Sequence, residues 1–296
     1  MAQVDEVAQG IYRLEAQIPG LSTVFSIFLI KGSGGVLIEP GPAALVPTVQ
    51  AVMDDLDFPE PAYIIPTHIH LDHAGGAGKL AQLFPNAKVV VHPAGAKHII
   101  DPSRLIQSTS MAFGEDFETV YGAILPVPEA QVRVASDGER LSVSNRELII
   151  IHTPGHAPHH IAIFDTKVRG LFCGEALGLF YNAGSPPLPA VAPPGLDAEV
   201  YLQSMERLRQ LSPRILFYSH GGIGNEPETL IPAVIENTEV VGAAILRALQ
   251  MGKSDEAVIR DIGDYIRDHF GMVLEEYDLA SNVSGYIHYY RRKGLA

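Results

Sequence analysis

The chain has 296 residues, of which 47% are hydrophobic and 19% are charged, which excludes the disordered and fibrous classes of protein. The formal net charge of −13 repels nucleic-acid phosphates, and the single cysteine, Cys173, cannot form an intramolecular disulfide or, by itself, a thiolate metal site. The N-terminal residues include acidic side chains and no apolar core, and no run of about 18 apolar residues follows, so neither a signal peptide nor a membrane span is predicted. We therefore expect a cytoplasmic protein without a nucleic-acid or membrane partner.

Short apolar segments separated by turn signals predict strands through the first half of the chain. In chain order we predict an antiparallel meander over residues 11–16, 23–32 and 34–41, a helix over 43–56, a strand over 62–67, a helix over 77–84 and a strand over 87–92. The region 99–128 has no clear periodicity, and we expect it to cover a pocket as a lid.

The second half repeats this style and then becomes helical. Strands are predicted in the segments 131–135, 139–143, 147–152, 160–166, 170–176 and 214–220, with a proline-rich rim loop over 181–195 and a helix over 198–211. Strands with intervening helices in two similar halves predict an α/β fold in which two sheets pack face to face with helices outside. We expect one domain over residues 1–226 and a helical region over 227–296 that packs near the active site.

The segment "PTHIHLDHAGG" concentrates polar side chains directly after an apolar strand. Similar loops follow three other predicted strands, each with a histidine or an acidic residue beside glycine. Together they supply the candidate residues His68, His70, Asp72, His73, His156, Glu175 and His220. Because residues at strand ends converge along one sheet edge, we expect a common polar site there.

Neutral imidazole and carboxylate groups are ligands of divalent zinc, manganese and iron. The candidate set exceeds what one tetrahedral ion needs, so two ions are the economical interpretation. In that arrangement one ion is held by His68, His70 and His156, and the other by Asp72, His73 and His220. A carboxylate and a hydroxide would bridge them.

The motif "HIHLDH", the "TPGH" loop of His156, Glu175 in "GEAL" and the final His220 resemble, in this order, the motifs of the metallo-β-lactamase superfamily. The resemblance covers roughly residues 10–225. It implies an αββα sandwich of two mixed sheets, a mono- or dinuclear site that activates water, and a small-molecule substrate. The "TPGH" loop and helical tail look like the type II glyoxalase (hydroxyacylglutathione hydrolase) branch, and the bridging position, usually Asp in the family, is Glu175 here.

The resemblance favours metal-dependent hydrolysis of a thioester, carboxylic ester or lactone, with Asp72 orienting the nucleophile and accepting its proton. His160 matches a second histidine of the "TPGH" loop and is expected to support the ligands from outside. The alternatives are a phosphodiesterase, a mononuclear iron oxygenase of the persulfide dioxygenase type, and a ligand-binding regulator with weak catalysis. Tight binding of only one ion and assembly as a homodimer are also left open. Structural roles are expected for five other histidines, His92, His98, His152, His269 and His288.

Overall fold

The computed structural model describes residues 2–19, 21, 23–114, 117–180 and 185–296. The chain divides into two compact units. The first comprises Met1–His152, His159–Gly174 and Arg214–Ile223, and the second comprises Thr153–Pro158, Glu175–Pro213 and Gly224–Ala296. The predicted domain boundary after residue 226, and the packing of the C-terminal helices near the site, stay predictions.

The first sheet is mixed, and its strands follow the order of the chain. They are β1 (Gln3–Ala8), β2 (Ile11–Gln17), β3 (Val24–Ile30), β4 (Val36–Ile38), β5 (Tyr63–Ile65), β6 (Lys88–Val91) and β7 (Val132–Val134). Strands β1 to β4 pair antiparallel, which confirms the predicted meander, and β4 to β7 pair parallel. The parallel strands therefore all end at one edge of the sheet.

The second sheet is also mixed. Its strands are β8 (Arg140–Val143), β9 (Arg146–His152), β10 (Ile161–Asp165), β11 (Gly170–Gly174), β12 (Ile215–Tyr218) and β13 (Ile223–Gly224), in the spatial order β13-β12-β11-β10-β9-β8. Strands β8 to β11 pair antiparallel, whereas β11 and β12 pair parallel. Gly174 and Tyr218, the last residues of β11 and β12, therefore lie side by side.

Strand β3 shows why this sequence forms a layered fold. Alternate residues point to opposite faces of a strand, and both faces of β3 are buried. Phe28 lies in the core between the two sheets, with its ring centroid 5.2 Å from that of Phe172. Its neighbours Ile27 and Leu29 lie in a separate core that includes Val49. The near-continuous apolar run of β3 follows from this double burial.

The helices of the first unit lie between the strands in sequence. They are α1 (Val46–Asp55), α2 (Leu71–Ala74), α3 (Ala77–Leu83), α4 (Ala96–Ile100), α5 (Ser103–Phe113) and α6 (Phe117–Tyr121), and a 3-10 turn, Ala43–Leu45, precedes α1. The predicted helices over 43–56 and 77–84 are thus confirmed. The region 99–128, which has no clear periodicity in the sequence, contains α5 and α6. Helix α5 has no fully buried side chain among those described, and its Leu105 and Ile106 are partly buried against apolar clusters of the first unit.

The second unit contains the helices α7 (Ala198–Gln210), α8 (Pro227–Gln250), α9 (Asp255–Phe270) and α10 (Glu276–Arg292). They confirm the predicted helix over 198–211 and the helical C-terminus. Within the described residues, α8 alone is long and apolar enough to cross a membrane by length and composition, with a mean hydropathy of 1.4. Buried Asn237 and Thr238 of α8 donate hydrogen bonds to the carbonyls of Pro187 and Val234, and α8 packs against α7, α9 and α10.

Two strands depart from the predictions. The sequence pattern places the segment 131–135 among the strands of the second half, but β7 belongs to the first sheet and pairs with β6. Strand β1 is absent from the predicted strands. It is a polar edge strand with exposed residues on both of its faces, so its sequence shows no alternation of apolar and polar residues. Residues 181–184 of the predicted rim loop lie outside the described residues, and 185–195 run without a helix or an extended strand.

Candidate metal centre

The candidate ligands of the first unit follow strands, either in loops (His68, His70 and His220) or in the short helix α2 (Asp72 and His73). The "HIHLDH" segment begins three residues after β5, and His70 is the N-cap residue of α2. His220 follows β12 by two residues. Two backbone hydrogen bonds tie these loops to neighbouring strands, from Ser26 N to Ser219 O at 2.8 Å and from Ile161 N to Thr67 O at 2.7 Å. The side chains are therefore held by rigid elements.

Asp72, His73 and His220 each offer one ligand atom, and these atoms lie within 4.8 Å of one another. The Nε2 atoms of His73 and His220 are 3.3 Å apart, and Asp72 Oδ2 lies 3.2 Å from the first and 3.5 Å from the second. His220 Nδ1 donates to the carbonyl of Val24 at 3.1 Å. Because a carbonyl only accepts, that proton sits on Nδ1, and the Nε2 lone pair faces the other two groups. The donor set fits a divalent ion.

His68 and His70 form an adjacent pair. The Nε2 atom of His68 is 2.9 Å from Nδ1 of His70, and the His68 ring centroid is 4.0 Å from that of His73. His160, which is fully buried, stacks on His68 with ring centroids 5.0 Å apart. The first unit thus gathers five predicted ligands in a histidine-rich cluster, with His160 beside it. The supporting role of His160 stays a prediction.

Glu39, which is not among the candidates predicted from the sequence, lies behind this cluster. Its carboxylate accepts hydrogen bonds from Ser219 Oγ at 2.7 Å and from Thr67 Oγ1, and its Oε2 atom is 3.2 Å from His73 Nδ1. It follows β4 with φ 59°, in the left-handed region that non-glycine residues rarely adopt. Glu39 therefore orients His73 from outside the site. The sequence pattern that could have identified Glu39 is an acidic residue at a strand end, close to the glycine of "IEPG".

The pKa of the Asp72 carboxyl is shifted from its ordinary value. Burial raises the pKa of its carboxyl, but His73 and His220 beside it, in their protonated form, lower the pKa more, so the net pKa lies well below the ordinary value of 3.8. Asp72 is therefore an ionised carboxylate at neutral pH, as a metal ligand or a proton acceptor must be.

His156 and Glu175 lie together in the second unit. His156 Nε2 is 2.9 Å from Glu175 Oε2, and both side chains are buried. His156 Nδ1 donates to the carbonyl of Ala190 at 3.0 Å, so its Nε2 atom is directed to the carboxylate. The His156 ring is thus oriented in the same way as the His220 ring, by a backbone carbonyl that accepts from Nδ1.

His92 and His152 form a separate pair, with ring centroids 4.2 Å apart. The His152 ring bonds to the carbonyl of Ala135 at 3.0 Å, and its backbone N–H donates to Asp137. Burial lowers the pKa of His92, His152 lowers it further and Asp137 raises it, which leaves the pKa at about 4. His92 is therefore neutral in the folded protein at mildly acidic pH.

We expect His92 to make stability depend on pH in a defined window. Below the ordinary pKa of 6.5 the unfolded chain binds a proton that folded His92 does not bind until about pH 4, so stability is lost as the pH falls through this interval. His92→Gln should weaken the pH dependence of the free energy of unfolding between these limits, measured in chelator by urea titration. The His92 ring should titrate near pH 4 by NMR, and titration near 6.5 would contradict the assignment.

The model of the metallo-beta-lactamase superfamily matches residues 19–220. The chain belongs to the metallo-beta-lactamase superfamily. Members of this superfamily are typically hydrolases, and the cluster of histidines and carboxylates supports a metal-dependent hydrolase of this family.

Relatives of this superfamily member agree with the assignment. A metallo-beta-lactamase fold-containing protein of Sulfurisphaera tokodaii is 28% identical over 222 residues, which cover 73% of this chain and 79% of the relative. A hydroxyacylglutathione hydrolase of Klebsiella pneumoniae is 28% identical over 161 residues, covering 54% of this chain and 49% of that enzyme. The crystal structure of a metallo-beta-lactamase family protein from Thermus thermophilus covers 98% of this chain and is itself covered to 95%, with a TM-score of 0.73 and 21% identity.

The structural likeness concerns the fold. It confirms the predicted class, an α/β architecture with two mixed sheets flanked by helices. The recognition of the superfamily from "HIHLDH" and the three later motifs is likewise confirmed.

Proposed function

We propose that this superfamily member is a dinuclear metal-dependent hydrolase of a thioester or carboxylic ester. One ion would be held by His68, His70 and His156, the other by Asp72, His73 and His220, with Glu175 bridging them. The observation that carries the proposal is the convergence of Asp72 Oδ2 and the Nε2 atoms of His73 and His220 within 4.8 Å of one another, with the His220 ring oriented by the Val24 carbonyl at Nδ1.

Chain connectivity supports the inclusion of Glu175 and His156 among the proposed metal ligands. Glu175 follows Gly174, and a Cβ added to Gly174 would lie 2.6 Å from Thr67 Oγ1, next to His68. His156 is three residues before His159, whose ring stacks on that of His68 at 6.2 Å. Consecutive Cα atoms are about 3.8 Å apart, so both residues are tethered to the "HIHLDH" loop.

The chain's own residues supply positioning and a proton acceptor. A divalent ion here would supply Lewis acidity, which lowers the pKa of water toward neutrality and polarises a carbonyl oxygen. Asp72 is ionised and partly exposed, with 32% of its side chain accessible, so it can orient a nucleophilic water and accept its proton. Glu39 and the carbonyls of Val24 and Ala190 fix the imidazoles against rotation.

The thioester preference rests on the hydroxyacylglutathione hydrolases among the relatives and on the "TPGH" loop. Each match covers about half of such an enzyme, so the substrate is proposed by analogy and not by geometry.

Elemental analysis of purified protein, paired with a panel of thioester, lactone and phosphodiester substrates, tests the proposal. We expect two equivalents of zinc, iron or manganese and thioester or ester hydrolysis that a chelator abolishes. Phosphodiester turnover alone would reassign the substrate class. A single iron with oxygen uptake would replace hydrolysis by oxygenase chemistry, and metal binding without turnover would indicate a regulator.

A further inference from the structure

Helix α7 contacts both loops of the second unit that carry proposed ligands. Tyr201 of α7 is fully buried, and its hydroxyl donates to the backbone carbonyl of Glu175 at 2.6 Å. The same hydroxyl accepts a hydrogen bond from the backbone N–H of Ala190 at 3.3 Å. The carbonyl of Ala190 in turn accepts from His156 Nδ1 at 3.0 Å. The phenolic oxygen of Tyr201 thus bonds directly to the backbone of Glu175 and is linked to the His156 side chain through the backbone of Ala190.

The "TPGH" loop is fixed to α7 at two further points. Ser204, one turn after Tyr201, donates its hydroxyl to the carbonyl of Pro154 at 2.6 Å. The carbonyl of Gly155 accepts from the N–H of Asp197, the N-cap residue of α7, at 2.9 Å. A Cβ on Gly155 would lie 2.3 Å from the Cα of Tyr201, and Gly155 has φ 139°, so only glycine permits this approach.

We propose that Tyr201 is a positioning residue for the metal centre, because it holds the backbone of Glu175 and the backbone of Ala190, which orients His156, in one fixed geometry. The inference rests on the proposed function, since it takes His156 and Glu175 as ligands. Ligand atoms must be held to a fraction of an ångström, and the loops of both groups are bonded to α7 or its N-cap residue, at Tyr201, Ser204 and Asp197. A hydroxyl is suited to the position of Tyr201 because it donates to the Glu175 carbonyl and accepts from the Ala190 N–H at the same time.

Tyr201→Phe keeps the ring and removes the hydroxyl that bonds to Glu175 and Ala190. Loss of an outer partner of a metal ligand costs about 10- to 100-fold in affinity or activity. We expect the variant to bind zinc about tenfold more weakly in competition with a chelator, and to lose kcat with little change in KM. Cobalt substitution should give an altered absorption spectrum, because the ligand geometry relaxes.

Tyr286→Phe is the matched control. Tyr286 is also buried in the second unit, and its hydroxyl donates to the carbonyl of Thr238 at 3.2 Å. Both substitutions remove a tyrosine hydroxyl and its hydrogen bond to a backbone carbonyl. The carbonyl of Thr238, however, belongs to neither ligand loop. We expect lowered thermal stability with wild-type zinc affinity and cobalt spectrum.

The outcomes separate the two proposals. If wild-type protein binds no zinc, the proposed function fails; if it binds zinc and Tyr201→Phe matches Tyr286→Phe in affinity and spectrum, only the role of Tyr201 fails. Should Tyr201→Phe not fold, Ser204→Ala removes a single oxygen from the same helix, and it should also weaken zinc binding several-fold. Unchanged affinity in that variant would overturn the assignment of α7.

Discussion

His70→Ala is expected to abolish tight binding of divalent metal and, with it, turnover. His70 Nδ1 faces His68 Nε2 at 2.9 Å, so removing one imidazole leaves the other without the partner that completes a chelate. The loss should exceed the ~10- to 100-fold effect of removing an outer partner, because a ligand itself is lost. The measurement is metal content after dialysis, together with kcat/KM on the substrate identified by the panel.

The fold should survive this substitution. His70 is the N-cap residue of α2, but its side chain makes no capping hydrogen bond, so alanine removes no cap. His288→Ala is the control, since His288 is an exposed histidine of α10. Retention of the full metal content by His70→Ala would show that the ligand set is wrong.

Glu39→Gln is expected to weaken both the fold and the metal centre, although Glu39 is not a proposed ligand. The carboxylate is buried and accepts from Thr67 and Ser219 while its second oxygen faces His73. In the glutamine variant an NH2 group replaces one carboxylate oxygen. This NH2 group is a donor, and it faces a side chain that itself donates to Glu39 in the wild type. A buried donor left without an acceptor costs about 1–3 kcal/mol, so the free energy of unfolding in chelator should fall by about that amount.

The effect of Glu39→Gln on metal affinity should be separate from its effect on stability. His73 loses the charged acceptor that orients its ring, and loss of such a partner weakens metal binding by about 10- to 100-fold. Glu60→Gln is a suitable control, because Glu60 is an exposed carboxylate that accepts from Asn86. If Glu39→Gln loses stability but keeps wild-type metal affinity, Glu39 supports the fold and does not orient His73.

Local sequence patterns were sufficient to predict an element or a site when the residues that mark it are close together in the chain. Strand β3 is buried on both faces and has an apolar run as its sequence, and the "HIHLDH" loop follows a strand directly. The same patterns indicated little for the polar edge strand β1. A strand with exposed residues on both faces has no hydrophobic period to detect.

The sequence by itself determined the superfamily, the two-sheet class and the cluster of histidines at strand ends, because each depends on residue types at short, fixed spacings. Only the tertiary structure showed that Glu39 faces His73, 34 residues away, and that His73 meets His220 across 147 residues. It alone placed the Tyr201 hydroxyl between the backbones of Glu175 and Ala190, the residue that orients His156. These contacts depend on which strand ends and helices become neighbours on folding, and hydrogen bonds between distant segments leave no periodic trace in the chain.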